Sequence, residues 1–372
     1  MNAVLEKKQP PVLFRQSHVN TGQLTRTSIL HIGNFLSAQG VSRQFVEELA
    51  DRMQSHGWTV YRTSFVFFRL GRLLNMVFTI LFERKKFRVA HVAVFSGRAF
   101  LWALASVSIL RLLGKPFVLS LHGGNLPDFL RRWPGPVRWL VSSATAVTCP
   151  SRYLLERFKG IRPDIRLIPN PVELSGCEYR LRKQPEPSIV WLRAFHRVYN
   201  PSLVPKVLKV LLPEFPGLRV SMIGSDRGDG SLQETKSVAG ELGVIGHIRF
   251  VDKVPKSDVP KWLNTGDILL NTPNIDNTPT SVIEAMACGL CVVSTNVGGL
   301  PYLLANEDDA LLVPPDDPQQ MACAIRRVLR EPGLAARLSR NGRTKVEQFD
   351  WPIIFPQWEF LFKLCAQAES AS

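Results

Sequence analysis

Residues 271–304 read NTPNIDNTPTSVIEAMACGLCVVSTNVGGLPYLL. The stretch follows an apolar run that ends at residue 271, and it contains a predicted helix over Ser281–Cys288 and a second apolar run over Cys291–Thr295. Short apolar runs joined by a helix are typical of parallel strands that are buried on both faces of a sheet. The stretch therefore predicts one strand, helix and strand unit of a doubly wound α/β sheet.

The same alternation extends over most of the chain in two series. Apolar runs predict strands of the first series at 28–35, 58–63, 89–95, 116–121, 144–149 and 165–168. A second series begins later, with predicted strands at 188–192, 219–223, 248–251, 268–271 and 291–295. Two such series predict two Rossmann-like domains that face each other across a central cleft.

A polar segment with two prolines, 174–187, separates the two series and predicts the domain boundary. We assign residues 28–180 to a first domain and residues 181–350 to a second domain. The last segment, 351–372, is predicted to be a helix. Residues 1–27 are polar and predict a disordered tail.

The charge is concentrated in one half of the chain. The 372 residues contain 46 Lys and Arg against 31 Asp and Glu, a net charge of +15. Residues 1–183 contain 27 basic and 10 acidic side chains, a net +17, whereas the remainder is at −2. This asymmetry predicts a polyanionic partner for the first domain alone. No zinc-finger, helix-turn-helix or RNA-binding motif is present, so we predict an anionic membrane surface and no nucleic acid.

One segment of the basic half suits a membrane surface. Arg69–Arg88 combines cations with apolar bulk and follows Phe65, Phe67 and Phe68. It fits a peripheral helix on anionic lipid and, with equal weight, a core helix with a solvated basic end. Six scattered cysteines, a polar start and no uninterrupted apolar run of about 20 residues predict a cytoplasmic protein, peripheral on the inner face of the plasma membrane.

The stretch quoted first also carries candidate chemistry. Asp276 and Glu284 are eight residues apart, one in the loop before the helix and one within it. Between them, Asn277–Ser281 leads into a helix start whose free N–H groups and positive dipole end suit a phosphate. Carboxylates on both sides could accept hydrogen bonds from sugar and ribose hydroxyls. By spacing alone, two such carboxylates are more often solvated surface groups.

Three motifs together resemble a known family. They are His-Gly-Gly at 122–124, IPNPVE at 168–173, and D-x7-E followed by AMACGLCVVSTNVGG from Asp276 onward. This order of motifs resembles the GT-B-fold glycosyltransferases of family 4, which transfer sugars from nucleotide donors with retention at the anomeric carbon. The resemblance covers about residues 28–350 and is stronger in the second half. The family's usual pattern is E-x7-E, so Asp276 shortens one of its two acidic side chains.

The resemblance implies that the first domain binds the acceptor, that the second domain binds the nucleotide sugar, and that the helix over 351–372 packs back on the first domain. It also implies roles for individual residues. It makes His122, Arg193 and Asp276 the catalytic candidates, with Arg193 on the diphosphate and the other two beside the transferred sugar. The family's Lys is absent near residues 198–200, where Arg197 is the nearest cation. The residues implied to bind the donor are Gly40, Arg193, Arg197, Val254, Asp276, Asn277, Thr280, Ser281, Val282 and Glu284. Among these, Glu284 would bind the ribose and Val254 the base.

The resemblance therefore implies a retaining hexosyltransferase that needs no metal and no cofactor besides a UDP-sugar or GDP-sugar donor. A glycan or lipid-linked acceptor is expected, in the synthesis of cell-surface polysaccharide or glycolipid. Two alternatives stay open. One is a nucleotide-sugar epimerase of the same fold. The other is a non-catalytic scaffold that binds nucleotide sugar or membrane, which the missing Lys and Asp276 would favour.

Overall fold

The computed structural model describes residues 27–39 and 43–368, and its strands form two sheets of six parallel strands each. The first sheet has the order β2-β1-β3-β4-β5-β6, with strands β1 (Ser28–Ile32), β2 (Thr59–Thr63), β3 (Val89–Val94), β4 (Phe117–Leu121), β5 (Ala146–Cys149) and β6 (Arg166–Leu167). The second has the order β12-β11-β10-β7-β8-β9, with strands β7 (Ser188–Leu192), β8 (Arg219–Ile223), β9 (Ile248–Val251), β10 (Ile268–Asn271), β11 (Cys291–Thr295) and β12 (Ala310–Val313). The predicted α/β class with two doubly wound sheets is confirmed.

Helices connect the parallel strands, as parallel pairing requires. The helices of the first domain are α1 (Phe45–Ser55), α2 (Arg69–Glu83), α3 (Phe100–Leu112), α4 (Leu126–Arg132), α5 (Pro134–Ser143) and α6 (Arg152–Phe158). Those that follow are α7 (Leu203–Leu211), α8 (Ser231–Glu241), α9 (Val259–Leu263), α10 (Thr280–Ala287), α11 (Leu300–Leu303), α12 (Pro318–Arg330), α13 (Leu334–Val346) and α14 (Trp351–Ala368). The tail predicted over residues 1–27 lies outside the described residues, except for Thr27.

Each sheet has a point at which its strand order reverses. In the first sheet this point lies between β1 and β3, and in the second sheet it lies between β7 and β10. Because loops leave neighbouring strands in opposite directions there, a crevice opens at the carboxyl ends of the strands, where ligands bind in folds of this kind. The change from one sheet to the other falls between Leu167 and Ser188.

The last helix returns to the first domain. Trp351, Trp358 and Phe362 of α14 are almost fully buried in one cluster with Ile29 and Val118 of the first sheet. Two segments therefore cross between the domains, and they lie side by side, since the N–H of residue 172 donates to the carbonyl of residue 349 at 2.9 Å. Within the described ranges, none of the helices has both the length and the apolar character needed to cross a membrane.

Candidate active site

A cavity of about 1000 Å³ lies between the two sheets, at the carboxyl ends of their strands. The first domain contributes residues that follow β1, β3 and β4, namely Asn34, Phe95 and His122. The second domain contributes Arg193 after β7, Gly224 after β8, and the loop from Ile275 to Ser281 after β10. Both strand-order reversals therefore open into one cavity.

Arg193 lies at the reversal point of the second sheet. Its guanidinium forms an ion pair with the Asp276 carboxylate, and its Cζ lies 4.6 Å from the centre of the Tyr199 ring. Burial lowers the pKa of Arg193 below its usual value. Gly224 allows this placement: its φ is +155°, and a Cβ there would lie 1.8 Å from the Arg193 carbonyl oxygen. The absence of a side chain at Gly224 thus allows the backbone of Arg193 to lie where it does at the cavity wall.

The Asp276 loop is held by the two glycines of the VGG motif. The N–H of Gly299 donates to the Asp276 carbonyl at 2.9 Å. A Cβ at Gly298 would lie 2.1 Å from the Asp276 carbonyl oxygen, and one at Gly299 would lie 2.2 Å from that of Asn277. On the other side, Ser151 of the first domain donates to the Asn277 side-chain oxygen at 2.5 Å. The loop is therefore fixed from both domains.

The start of α10 presents unpaired polar groups to the cavity. The hydroxyls of Thr278 and Ser281 are buried, line the cavity and have no hydrogen-bond partner among the described residues. Thr280, the first residue of α10, also lines the cavity. Because the N–H groups of a first helical turn have no partner within the helix, hydroxyls and amides here can donate together to an anion. Buried hydroxyls without hydrogen-bond partners indicate that a bound ligand supplies those partners.

Glu284 lies one turn further along α10 and also lines the cavity. Burial raises the pKa of its carboxyl to about 7, although nearby Lys256 and Arg193 act in the opposite direction. Lys256 also forms an ion pair with Glu48 of α1, with 2.5 Å between Nζ and Oε1. This ion pair joins the two domains beside Glu284.

His122 closes the cavity from the first domain. Its ring stacks on Phe95, with 5.3 Å between the ring centres, and its Nε2 lies 2.9 Å from the Ser120 hydroxyl. Burial lowers the pKa of His122 to about 4, so the imidazole is neutral near pH 7. The Gly124 backbone approaches the second domain closely, since a Cβ there would lie 3.6 Å from the carbonyl carbon of Asp276.

The structure brings most of the sequence-predicted residues together and separates a few. Eight of them line the one cavity: His122, Arg193, Val254, Asp276, Asn277, Thr280, Ser281 and Glu284. Val282 does not line it, because its side chain is buried in the apolar core beneath α10. Arg197 is exposed and lies outside the cavity lining, and its backbone N–H donates to Asp229. Gly40 lies outside the described residues.

Other cavity residues were not found by sequence reasoning. Besides Thr278, they include four cations, namely Arg43, Arg227, Lys253 and Lys256. Arg227 belongs to the glycine-containing turn after β8, and Lys253 is next to Val254. The sequence could have indicated them by their position after a predicted parallel strand, because the loops that follow parallel strands meet at one edge of the sheet. The described part of the cavity wall therefore contains four cations besides Arg193, and Arg197 is not among them.

Both parts of the chain match known families. Residues 180–345 match the family described as glycosyl transferases group 1, and residues 26–175 match glycosyltransferase family 4. Together with the fold, these matches show that the chain belongs to the GT-B glycosyltransferases of the group 1 and family 4 type. The predicted GT-B architecture and the resemblance seen in the sequence are confirmed.

Individual relatives and solved structures agree with this assignment. A D-inositol 3-phosphate glycosyltransferase of Acidothermus cellulolyticus is 25% identical over 269 residues, which are 67% of this chain and 60% of that relative. The chain thus spans less than two thirds of this relative. Sucrose-phosphate synthase of Thermosynechococcus elongatus is similar in fold, with a TM-score of 0.77, 18% identity, and coverage of 93% of this chain and 100% of that one. HepE of Anabaena, solved with UDP and glucose, has a TM-score of 0.72, 16% identity, and coverage of 91% and 99%.

Proposed function

We propose that the protein transfers a hexose-type sugar from a UDP-sugar or GDP-sugar to a glycan or lipid-linked acceptor, with retention at the anomeric carbon. One observation carries the proposal. The buried hydroxyls of Thr278 and Ser281, unpaired among the described residues, lie in the same cavity as Arg193 and the positive end of α10. This combination of donors suits a diphosphate. The names of the similar proteins, an inositol phosphate glycosyltransferase and a UDP-bound HepE, support it.

The proposed roles follow from position and chemistry. Arg193 and the start of α10 hold the diphosphate and neutralise the charge that grows on it as the glycosidic bond breaks. Asp276 and His122 line the cavity from different domains and would hydrogen-bond the transferred sugar. Glu284 would accept hydrogen bonds from the ribose, and Val254 would contact the base edge. Closure of the two domains would then exclude water and align the acceptor.

We also propose that the reaction needs no metal and no cofactor. The described ranges contain no group of three or more His, Cys, Asp or Glu side chains that could hold a metal ion. Cations of the cavity wall, with Arg193 foremost, would then neutralise the leaving diphosphate. Transfer that is unchanged by excess EDTA would support this part of the proposal, and transfer restored only by added Mg²⁺ or Mn²⁺ would contradict it.

We further propose a peripheral location on the cytoplasmic face of an anionic membrane. Helix α2 has a buried face with Met76 and Ile80, and an opposite exposed stripe of large apolar residues at Leu70, Leu74, Phe78 and Phe82. The buried face fits a core helix, and the exposed stripe is the part that would contact a membrane. Exposed Arg84, Lys85 and Arg88 follow the stripe. An apolar stripe with cations at its end suits a surface of anionic lipid, which would bring a lipid-linked acceptor to the first domain.

Two experiments test the central proposal. Thermal unfolding with a panel of nucleotide sugars should show a raised melting temperature for one UDP-sugar or GDP-sugar, because a ligand that binds only the folded chain stabilises it. Donor turnover should then be measured for the wild type, Glu284→Ala and Arg193→Ala. Slow donor hydrolysis that both changes abolish supports a transferase. A donor converted to its epimer without acceptor supports the epimerase, and binding without turnover supports the scaffold. NMR of the product's anomeric proton determines retention.

A further inference from the structure

Three polar side chains form a buried row across the first sheet. His31 of β1 is the register partner of His91 of β3, and Ser120 of β4 is the partner of Ala93, two residues beyond His91. Because side chains alternate along a strand, all three lie on one face of the sheet. That face is the one covered by α14, where the His91 ring contacts Trp358 and Phe362 with ring centres 5.2 and 5.5 Å apart. His31 and His91 have no exposed surface.

The row is connected by hydrogen bonds and ends at the cavity. The Nδ1 atoms of His31 and His91 are 3.0 Å apart, and His91 Nε2 lies 2.7 Å from the Ser120 hydroxyl. The same hydroxyl lies 2.9 Å from Nε2 of His122, which lines the cavity. At the inner end, His31 Nε2 is buried and has no partner among the described residues. One continuous path therefore leads from the core beneath α14 to the candidate active site.

The three imidazoles are neutral near pH 7. Burial lowers the pKa of His31 to about 3, that of His91 well below its usual value, and that of His122 to about 4. A neutral imidazole has one ring nitrogen that donates and one that accepts. If one nitrogen of a ring donates a hydrogen bond, the other nitrogen must accept one, so the direction of the first bond fixes the direction of the second. Two arrangements satisfy every contact in the row and also give the Ser120 O–H an acceptor there, and they run in opposite directions. A third, in which His91 and His122 both donate to Ser120, would leave the buried Ser120 O–H without an acceptor among the described residues.

The unpaired nitrogen of His31 distinguishes the two directions. If the row donates inward, from His122 to His31, then His31 Nε2 is a buried N–H without an acceptor. If the row donates outward, His31 Nε2 is a bare acceptor, which is tolerated more often than an orphaned N–H. In the outward direction, His31 donates to His91, His91 donates to Ser120, and the Ser120 hydroxyl donates to His122 Nε2. The ring proton of His122 then lies on Nδ1.

We propose that His31, His91 and Ser120 are positioning residues for His122, which they hold in the tautomer that offers an Nδ1–H donor to the cavity. Such a donor matches an oxygen acceptor on the bound sugar or phosphate. The catalytic consequence rests on the function proposed above, whereas the tautomer itself does not. Carboxylates or carbonyls commonly orient a functional histidine in this way, and here a hydroxyl and two further imidazoles do so.

The tautomer can be observed directly in the full chain labelled with [15N]histidine. Long-range 1H–15N NMR spectra distinguish a protonated ring nitrogen from a bare one, and the seven histidines can be assigned from single His→Gln variants. We expect His122 in the wild type to be protonated at Nδ1 and bare at Nε2. In Ser120→Ala the hydroxyl is gone, so both tautomers of His122 should be populated. Ser120→Thr, which retains a hydroxyl, should restore the single tautomer.

A matched control removes a hydroxyl outside the row. Thr148 of β5 is the register partner of Ser120, but its hydroxyl donates to the Leu119 carbonyl, so Thr148→Val should leave the His122 spectrum unchanged. Protonation of wild-type His122 at Nε2 would overturn the proposal, even if Ser120→Ala does not fold. An unchanged tautomer in folded Ser120→Ala would also overturn it. In a transfer assay we expect Ser120→Ala to lower kcat/KM about tenfold, as for one misdirected hydrogen bond. An inactive wild type with the expected tautomer would count against the proposed function alone.

Discussion

Arg193 and Asp276 form an ion pair at the point where the second sheet reverses its strand order, one residue following β7 and the other following β10. The pair keeps the guanidinium at the wall of the cavity, stacked beside Tyr199. A diphosphate that enters the cavity would compete with Asp276 for the same donors. Under the proposed function, Asp276 would then be free to contact the transferred sugar.

Arg193→Ala should therefore reduce kcat by about 100-fold or more, the usual cost of removing one group that stabilises charge in the transition state. Arg193→Lys retains the charge but loses the planar fork, so we expect an intermediate loss. Arg197→Ala is the matched control, because Arg197 is exposed and outside the cavity lining. Steady-state kinetics with the donor identified by thermal shift would measure all three. A larger loss for Arg197→Ala than for Arg193→Ala would assign the diphosphate to Arg197.

Gly299→Ala should displace the loop that carries Asp276 and Asn277. The added Cβ would lie 2.2 Å from the Asn277 carbonyl oxygen, which is backbone and cannot turn away as a side chain would. We expect the Kd for UDP or GDP to rise at least about tenfold, or about 1.4 kcal/mol, as measured by calorimetry. Gly240→Ala in α8 is the control, since nothing lies within 4 Å of its Cβ and alanine favours a helix. Equal affinities in the two variants would contradict the proposed role of the motif.

Glu284 should make the stability of the protein depend on pH. Its carboxyl has a pKa of about 7 in the folded chain and an ordinary value of 4.5. The folded chain therefore binds a proton that the unfolded chain has lost, and the free energy of unfolding falls as the pH rises between these values. Glu284→Gln does not titrate, so its advantage over the wild type should grow from pH 5 to pH 8. Urea unfolding at several pH values measures this difference. If the free energies of unfolding of the wild type and Glu284→Gln change with pH in the same way, the prediction is wrong.

The exposed stripe of α2 should bind vesicles that contain anionic lipid. Phe78 and Phe82 are 51% and 74% exposed, and burial of each ring contributes about 2 kcal/mol. The double change Phe78→Ser and Phe82→Ser should weaken sedimentation with such vesicles at least about tenfold. Ile245→Ser, at an exposed apolar position of the second domain, should have no effect. The membrane proposal fails if the wild type binds anionic and neutral vesicles equally.

Much of the fold could be predicted because buried parallel strands are apolar on both faces. Ile268–Asn271 and Cys291–Thr295 are strands with the predicted bounds, since each begins with three apolar residues and has polar residues only at its end. The apolar spacing of residues 41–55 predicts one helix over that range, whereas α1 begins at Phe45, after the non-helical Arg43 and Gln44. The strand β12 and the helices α12 and α13 were not predicted, although they complete the second sheet and cover it.

The candidate site was predictable where one loop carries it and unpredictable where several loops meet. Asp276, Ser281 and Glu284 lie on one strand, loop and helix unit, so their proximity follows from local geometry. Val282 shows the limit of a range prediction, because one step along a helix turns the side chain by about 100° and places it in the core. Lys256 reaches the same cavity from a loop after β9, a position that depends on sheet order. Sheet order depends on the tertiary packing of distant segments, so the local sequence around Lys256 does not reveal its position.

The position of α14 determines when the first domain can be completed during synthesis. Its buried aromatic residues fill one face of the first sheet, yet about 160 residues of the second domain are translated between β6 and that helix. Until then, the row of His31, His91 and Ser120 lies beneath an uncovered apolar surface. The face of the first sheet that α14 covers therefore stays uncovered until the second domain has been synthesised, whereas the core on the other face, with Val92 and Leu119, does not depend on that helix.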